Sequence, residues 1–118
     1  MKLPKKVSGK VTVKELDKLW SNKVKEKFDN KCFICGKGSP HAHHIFSRGY
    51  KSTRWDIENG VALCYYHHFY FAHQKFEEFR DVIIDLIGEE KYDELKLKSK
   101  EIFTLTLPEV KSLLNPQE

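Results

Sequence analysis

Long apolar segments are missing from this sequence. No hydrophobic run approaches the roughly 20 residues of a membrane-spanning helix, so we expect no membrane span. The basic start MKLPKKVSGK is not followed by an apolar core, and we therefore expect no secretory signal. Internal repeats and low-complexity segments are missing too. With 32% charged and 40% hydrophobic residues over 118 positions, the composition is typical of one globular domain.

Cysteine is scarce, and its count is odd. The three cysteines are Cys32, Cys35 and Cys64, and an odd number without an export signal argues against a disulfide framework. Cys32 and Cys35 form a C-x2-C knuckle, and Cys64 begins CYYH, with His67 where a second cysteine would stand. Three thiolates and one imidazole at such spacing are typical of a tetrahedral structural zinc site. The alternative is a redox C-x2-C, but the following CGKGSPH lacks the strand-turn-helix pattern of that use.

Positive charge is concentrated towards the N-terminus. Residues 1–31 contain ten lysines and four acidic residues, whereas residues 75–118 have a net charge of about −4. A basic N-terminal half predicts a face for a polyanion. A solvated lysine-rich surface would show the same bias, so charge alone leaves both interpretations open.

Apolar periodicity predicts several helices around two short strands. The sequence T-x-x-E at Thr12, followed by apolar residues three and four apart, predicts a helix over residues 13–28. AHHIF and GVALC favour short strands, and the thirteen residues SRGYKSTRWDIEN between them predict a polar loop. Further helices are predicted for residues 65–73, for 76–87 before Gly88, for EEKYDELKLK, and after Thr106.

Histidines are concentrated in the segment PHAHHIFSRG, residues 40–49. Three of the six histidines, His41, His43 and His44, fall within four positions. Imidazoles serve metal binding and proton transfer near neutral pH. Six histidines and three cysteines exceed the needs of one tetrahedral site, so at least two histidines require another role.

Three residues between the knuckles and just beyond follow a recognisable spacing. His44, Asn59 and His68 stand as H-x14-N-x8-H. The motifs CFIC, HHIFSRG, IENGVALC and YHH occur in order from Cys32 to about His73, roughly a third of the chain. This arrangement resembles the HNH endonucleases, whose catalytic unit is a ββα-metal finger. LDKLWSNKVKEKFDNKC also looks like the helix that leads into the first knuckle in phage and bacterial members.

The resemblance implies an α+β fold, with a small ββα-metal finger, a structural zinc site and flanking N- and C-terminal helices. It divides one domain into a flexible basic arm at residues 1–11, an N-terminal helix at 12–31, the HNH core at 32–74 and a helical extension at 75–118. We interpret the C-terminal helices as packing support for a finger too small to stand alone.

The resemblance also implies roles for the histidines and the asparagine. His44 fits the general base, Asn59 the residue that braces the loop and orients the base, and His43 and His68 the ligands of a catalytic metal. His73 is a further candidate ligand, but it stands five residues after His68, about 140° around an ideal helix, so an ordinary helix-end histidine is the alternative. For Asn59 the alternative is a turn residue of an Asn-Gly pair. Adjacent strand residues face opposite sides, so His43 and His44 can act together only where the strand end twists or bulges.

Two metals are implied. The structural zinc would be bound by Cys32, Cys35, Cys64 and His67, although the adjacent His67 and His68 could exchange their roles. The catalytic divalent metal is left open, because imidazole ligands suit Mn²⁺, Ni²⁺ or Zn²⁺, while few ligands and many waters also permit Mg²⁺.

Other side chains are candidates for nucleic-acid contact. Arg48, Lys51 and Arg54 could contact phosphates, with solvated loop charge as the alternative. Trp55 is interpreted as a packing anchor of the loop rather than a base-stacking residue. For His41, an ordinary polar role is favoured over contact with substrate.

These features predict a metal-dependent HNH endonuclease that hydrolyses DNA, with His44 as general base and one divalent metal on the scissile phosphate. The resemblance suggests a role in phage DNA processing or recombination. We expect the protein in the cytoplasm of a bacterial or phage-infected cell, with DNA as its partner and no association with a membrane. The alternative is a non-catalytic zinc-finger-like nucleic-acid-binding module. That module would explain the knuckles and lysines, but not the pair His43-His44 or the spacing of Asn59.

Overall fold

The elements surround one short sheet. The computed structural model describes residues 10–116, which form a mixed α+β fold with a two-stranded antiparallel sheet. In chain order the elements are α1 (Val13–Lys27), β1 (His41–His44), α2 (Lys51–Arg54), a 3-10 turn (Ile57–Asn59), β2 (Gly60–Leu63), α3 (residues 65–74, π-helical over His67–Ala72), α4 (Phe76–Ile87), α5 (Glu89–Ser99) and α6 (Leu107–Leu114). Most of the predicted basic arm, residues 1–9, lies outside the described residues. Within residues 10–116, no helix is both long and apolar enough to cross a membrane.

Helix α1 lies within one residue of its predicted bounds. The Thr12 hydroxyl accepts a hydrogen bond from the Glu15 backbone N–H at 3.1 Å, which satisfies one of the unpaired N–H groups of the first turn. The Glu15 carboxylate lies 2.7 Å from Lys111 Nζ and so connects α1 to α6. The buried stripe of α1 consists of Leu16, Trp20 and Val24.

The sheet pairs β1 with β2 over four residues. The register places His41 opposite Leu63 and His44 opposite Gly60, and all four residues of β2 are buried. Gly60 allows β2 to approach α1 closely, because a Cβ atom at this position would lie 2.7 Å from Trp20 Cζ2 and would also collide with Val24. This close approach brings α1 against the end of the sheet that holds His44.

The segment between the strands is more ordered than the predicted polar loop. It contains α2 and the 3-10 turn, and it buries Thr53, Trp55 and Asn59. The prediction of a plain loop was wrong, because buried residues anchor the segment in a way that its polar composition does not reveal. Trp55 is 6% exposed and contacts Phe103, as expected for a packing anchor.

Helices α4 to α6 confirm the predicted C-terminal helices and pack on the central part of the chain. α4 ends before Gly88, whose φ is +91°, and α6 begins at a reciprocal capping box between Thr106 and Glu109. Phe79 and Ile83 of α4 join one core with the sheet residues Val61 and Leu63. The second core packs α6 against α1 and consists of Leu16, Trp20, Val24, Trp55, Val110 and Leu114. The helices thus bury both sides of the sheet region.

Candidate functional site

Three thiols and one imidazole converge at the turn after β2. Cys32, Cys35 and Cys64 are free thiols, and their sulphurs and a nitrogen of His67 all lie within 4.8 Å of one another. Cys35 Sγ lies 3.7 Å from Cys64 Sγ, while His67 Nδ1 lies 3.3 Å from Cys64 Sγ and 3.6 Å from Cys32 Sγ. A tetrahedral zinc ion requires S···S distances of about 3.8 Å and S···N distances of about 3.5 Å. The donor set therefore fits a metal ion such as zinc.

The electrostatics around Cys32 favour the thiolate. Burial alone would raise the pKa of Cys32, but backbone N–H groups of Cys35, Cys64 and Ile34 that donate to the sulphur outweigh it and lower the pKa to about 6. A thiol that binds a metal must be deprotonated, so Cys32 is prepared for metal binding near neutral pH.

The structure separates the two adjacent histidines His67 and His68. His67 faces the thiols, and His68 faces His43 and His73. Nitrogen atoms of these last three histidines lie within 4.8 Å of one another, and their ring centroids are 5.0 to 5.3 Å apart. The three-histidine cluster, His43, His68 and His73, therefore forms a second group that could hold a metal ion.

A π-helical segment brings His68 and His73 together. In an ideal α-helix, five residues would leave the two side chains far apart around the axis. Residues His67–Ala72 are π-helical, and hydrogen bonding from i to i+5 places residues five apart on nearly the same side. In the sequence, the signal for this segment was the five-residue spacing of the two histidines. Interpreted as an α-helix, that spacing placed the side chains apart and did not reveal the π-helical segment.

Two members of the three-histidine cluster, His43 and His68, are held neutral by their surroundings. Burial, followed by the neighbouring imidazoles of His68, His73 and His44, lowers the pKa of His43 to about 3. Burial and the imidazoles of His73 and His41 lower the pKa of His68 to about 4. Neutral imidazoles present lone pairs at pH 7, which is the form that binds a metal.

His41 supports the cluster from beside it. His41 Nδ1 lies 3.1 Å from His68 Nδ1, a hydrogen-bond distance. Because Nδ1 of His68 is engaged there, Nε2 is the nitrogen of His68 left for an ion. Hydrogen bonds to the second nitrogen of a ligand histidine commonly fix its ring. The structure thus gives His41 a specific partner that the sequence did not indicate.

His44 packs away from the cluster, against α1. Its ring stacks on Trp20 with centroids 3.8 Å apart and an angle of 6° between the planes, and Nε2 lies 2.9 Å from the Arg54 carbonyl oxygen. A carbonyl only accepts, so Nε2 carries the hydrogen and Nδ1 carries the lone pair. Burial lowers the pKa of His44 and outweighs the hydrogen bond to the Arg54 carbonyl and the charge of Asp17, which raise it. His44 is therefore a neutral imidazole with a defined tautomer.

Sheet pairing continues through His44 without an inserted residue. The bulge that would allow His43 and His44 to act together is therefore not seen between His41 and His44. His44 is nevertheless the last residue of β1, and it lies close enough for its charge to lower the pKa of His43. The two imidazoles contact different elements: His43 contacts α3 and α4, whereas His44 contacts α1 and α2.

Asn59 ties the segment between the strands together. Its side chain is fully buried; Oδ1 accepts from the Phe46 N–H at 2.8 Å, and Nδ2 donates to the carbonyls of Phe46 at 2.9 Å and Thr53 at 3.0 Å. Thr53 directly precedes Arg54, whose carbonyl oxygen accepts the hydrogen bond from His44. Asn59 is thus far more than a turn residue before a glycine.

Asp17 is a site residue that the sequence analysis missed. Its carboxylate accepts two hydrogen bonds from the Arg54 guanidinium, at 3.1 and 2.7 Å, and one from Trp55 Nε1 at 2.9 Å. Burial alone would raise the pKa of Asp17, but these donors outweigh it and lower the pKa. The Arg54 side chain, predicted as a phosphate contact, is thereby occupied with α1. Nothing in the local sequence links residues 17 and 54.

The other two predicted phosphate contacts lie on the surface. Arg48 is exposed and close enough to influence the pKa values of both Asp17 and His44. Lys51 is exposed at the start of α2, where it borders a groove of about 340 Å³ together with Trp55, Phe103 and Leu113. Arg48 is thus the predicted contact nearer to the histidines.

Comparisons with known proteins give no relative from which a function could be transferred. No protein-family model, no curated protein and no solved structure matches the chain. Function is therefore inferred from the geometry of this chain alone.

Proposed function

We propose that the chain is a metal-dependent endonuclease of the HNH type that hydrolyses DNA phosphodiester bonds. The observation that supports this most is the placement of His44. It is a neutral imidazole of defined tautomer, and it follows His43, a member of the three-histidine cluster, directly in the chain. Hydrolysis needs a base for the attacking water and positive charge at the phosphate, and these are two separate tasks.

His44 is assigned the role of general base. Nδ1 accepts the proton of the water, while Nε2–H remains donated to the Arg54 carbonyl, which stabilises the imidazolium that forms. The Trp20 ring restricts rotation of the imidazole, and Trp20 is itself held by donation from Nε1 to the Asp56 carbonyl at 2.7 Å. His44 thus has a fixed orientation and the protonation state that a base requires.

His43, His68 and His73 are assigned to the catalytic divalent cation. When bound, such an ion supplies positive charge to the scissile phosphate and to the leaving 3′-oxygen. The neutral state of His43 and His68 and the contact of His41 with His68 prepare the cluster for this role. All-imidazole ligation favours Mn²⁺, Ni²⁺ or Zn²⁺ over Mg²⁺.

The second group, Cys32, Cys35, Cys64 and His67, is assigned to structural zinc. It connects the knuckle before β1 with the start of α3, and α3 provides both His68 and His73. Loss of this ion would therefore disturb the three-histidine cluster without removing any of its ligands.

A plasmid assay tests the proposal. Wild-type protein and His44→Ala are incubated with supercoiled DNA in Mg²⁺, Mn²⁺ or Ni²⁺, and the zinc content of both is measured on the same samples. We expect the wild type to nick or linearise the plasmid, and His44→Ala to keep its zinc but to cut at least about 100-fold more slowly.

One result would count against the nuclease, and another would count against the base assigned to it. If neither protein cuts in any metal while both bind DNA and retain zinc, the chain is a binding module. If His44→Ala cuts as fast as the wild type, His44 is not the base.

A further inference from the structure

Helix α3 exposes two aromatic rings beside the three-histidine cluster. Tyr65 is 72% exposed and Phe69 is 46% exposed, and their centroids are 4.9 Å apart. Phe69 contacts His68 with centroids 4.5 Å apart, and both aromatic rings meet His41 edge-on. Large rings exposed together at a candidate site indicate a binding surface rather than core packing.

The same helix carries a second aromatic pair at a different place. Tyr66 and Tyr70 are also exposed, at 56% and 43%, with centroids 5.2 Å apart. Tyr66 contacts His67, the histidine that faces the thiols. Both pairs are exposed aromatic residues on the same helix, but only the first borders the three-histidine cluster: Phe69 contacts His68, and Tyr65 contacts Phe69 and His41.

The charge of residues 30–76, the stretch of chain that contains these rings, favours one kind of partner. From residue 30 to residue 76 the only carboxylates are Asp56 and Glu58, and these pair with Lys98 at 2.6 Å and Lys91 at 2.8 Å. The same stretch contains six lysines and arginines, of which Arg54 is paired with Asp17, so its net charge is positive. Exposed aromatic rings in a stretch of net positive charge suit a polyanion that also presents flat apolar surfaces, which describes a nucleic acid with unpaired bases.

We propose that Tyr65 and Phe69 stack against unpaired bases of single-stranded DNA, next to the strand position that the three-histidine cluster acts on. This inference rests on the proposed function, because that function places a phosphate at the cluster. Every base has a π-face, so stacking on these rings does not select a base. The substrate class is therefore single-stranded DNA, or a single-stranded segment within a duplex, without strong base preference.

Binding without added divalent metal tests the inference separately from cutting. A fluorescently labelled oligothymidine is titrated with wild-type protein, with Tyr65→Ala/Phe69→Ala and with the matched control Tyr66→Ala/Tyr70→Ala, and anisotropy is followed. We expect the first double variant to bind about tenfold to hundredfold more weakly, and the control to change by less than about threefold. Equal affinity of the first variant and the wild type would overturn the proposal, and so would equal losses in both variants.

A second probe needs no variant. The wild type is titrated with an abasic strand of the same length, which keeps the phosphates and removes the bases. We expect it to bind at least about tenfold more weakly than oligothymidine, because only the bases can stack. Equal affinities for the two strands would show that phosphates alone are bound and would overturn the proposal.

The nuclease and the stacking surface can fail independently. If the wild type cuts plasmid DNA while Tyr65→Ala/Phe69→Ala binds oligothymidine like the wild type, the nuclease stands and the stacking surface is refuted. If oligothymidine binding depends on Tyr65 and Phe69 but no metal supports cutting, the surface stands as part of a binding module and the nuclease is refuted.

Discussion

Replacing Asn59 by alanine should destabilise the protein more than any exposed substitution. The change removes three hydrogen bonds of a fully buried side chain and leaves the Phe46 N–H and the Phe46 carbonyl without their partner, whereas the Thr53 carbonyl still accepts from the Asp56 N–H at 3.1 Å. A buried polar group left unpaired costs about 1–3 kcal/mol, so a combined loss of about 2–4 kcal/mol is expected for these two groups. This is a large part of the 5–15 kcal/mol that typically separates folded from unfolded domains.

Urea unfolding at a fixed concentration of free zinc measures this loss, because bound metal itself contributes to stability. Asn22→Ala is the matched control, since Asn22 lies on the exposed side of α1, and it should change the free energy of unfolding by less than about 0.5 kcal/mol. Asn59→Asp should also be destabilising, because it places a carboxylate against the carbonyls of Phe46 and Thr53. A loss below about 1 kcal/mol in Asn59→Ala would refute the bracing role.

Three further substitutions test other parts of the structure. Gly60→Ala should lower the free energy of unfolding by about 1–3 kcal/mol in urea titrations, because its methyl group collides with Trp20; an unchanged midpoint would contradict the close approach. Asp17→Asn should cost about 1–3 kcal/mol at pH 7. Because the folded-state pKa of Asp17 is lowered, its stabilisation is present above the unfolded pKa of about 4 and is lost as pH falls through the folded value; the difference between wild type and Asp17→Asn should shrink below about pH 4. Cys64→Ser should not bind the proposed structural zinc and should lose part of its circular-dichroism signal, and zinc binding by this variant equal to that of the wild type would exclude the thiol site.

Most helices could be predicted from the sequence because their signals are local. The hydroxyl of Thr12, the Thr106–Glu109 box and Gly88 act within one helical turn, and the apolar stripe of α4 repeats over adjacent turns. The spacings of Cys32 with Cys35 and of Cys64 with His67 are equally local, and together they predicted the members of the thiol cluster. The segment between the strands was mispredicted, because the burial of Trp55 depends on α1 and on the C-terminal chain.

The histidine sites show where local signals end. The sequence by itself determined that histidines and cysteines exceed one tetrahedral site, and it determined which residues compete for each role. Only the tertiary structure decided that His67 faces the thiols, that a π-helical segment brings His73 to His68, and that His44 packs on Trp20. The physical reason is that composition and spacing fix which groups are present, whereas the phase of a helix and the contacts between residues far apart in the chain fix where each side chain points.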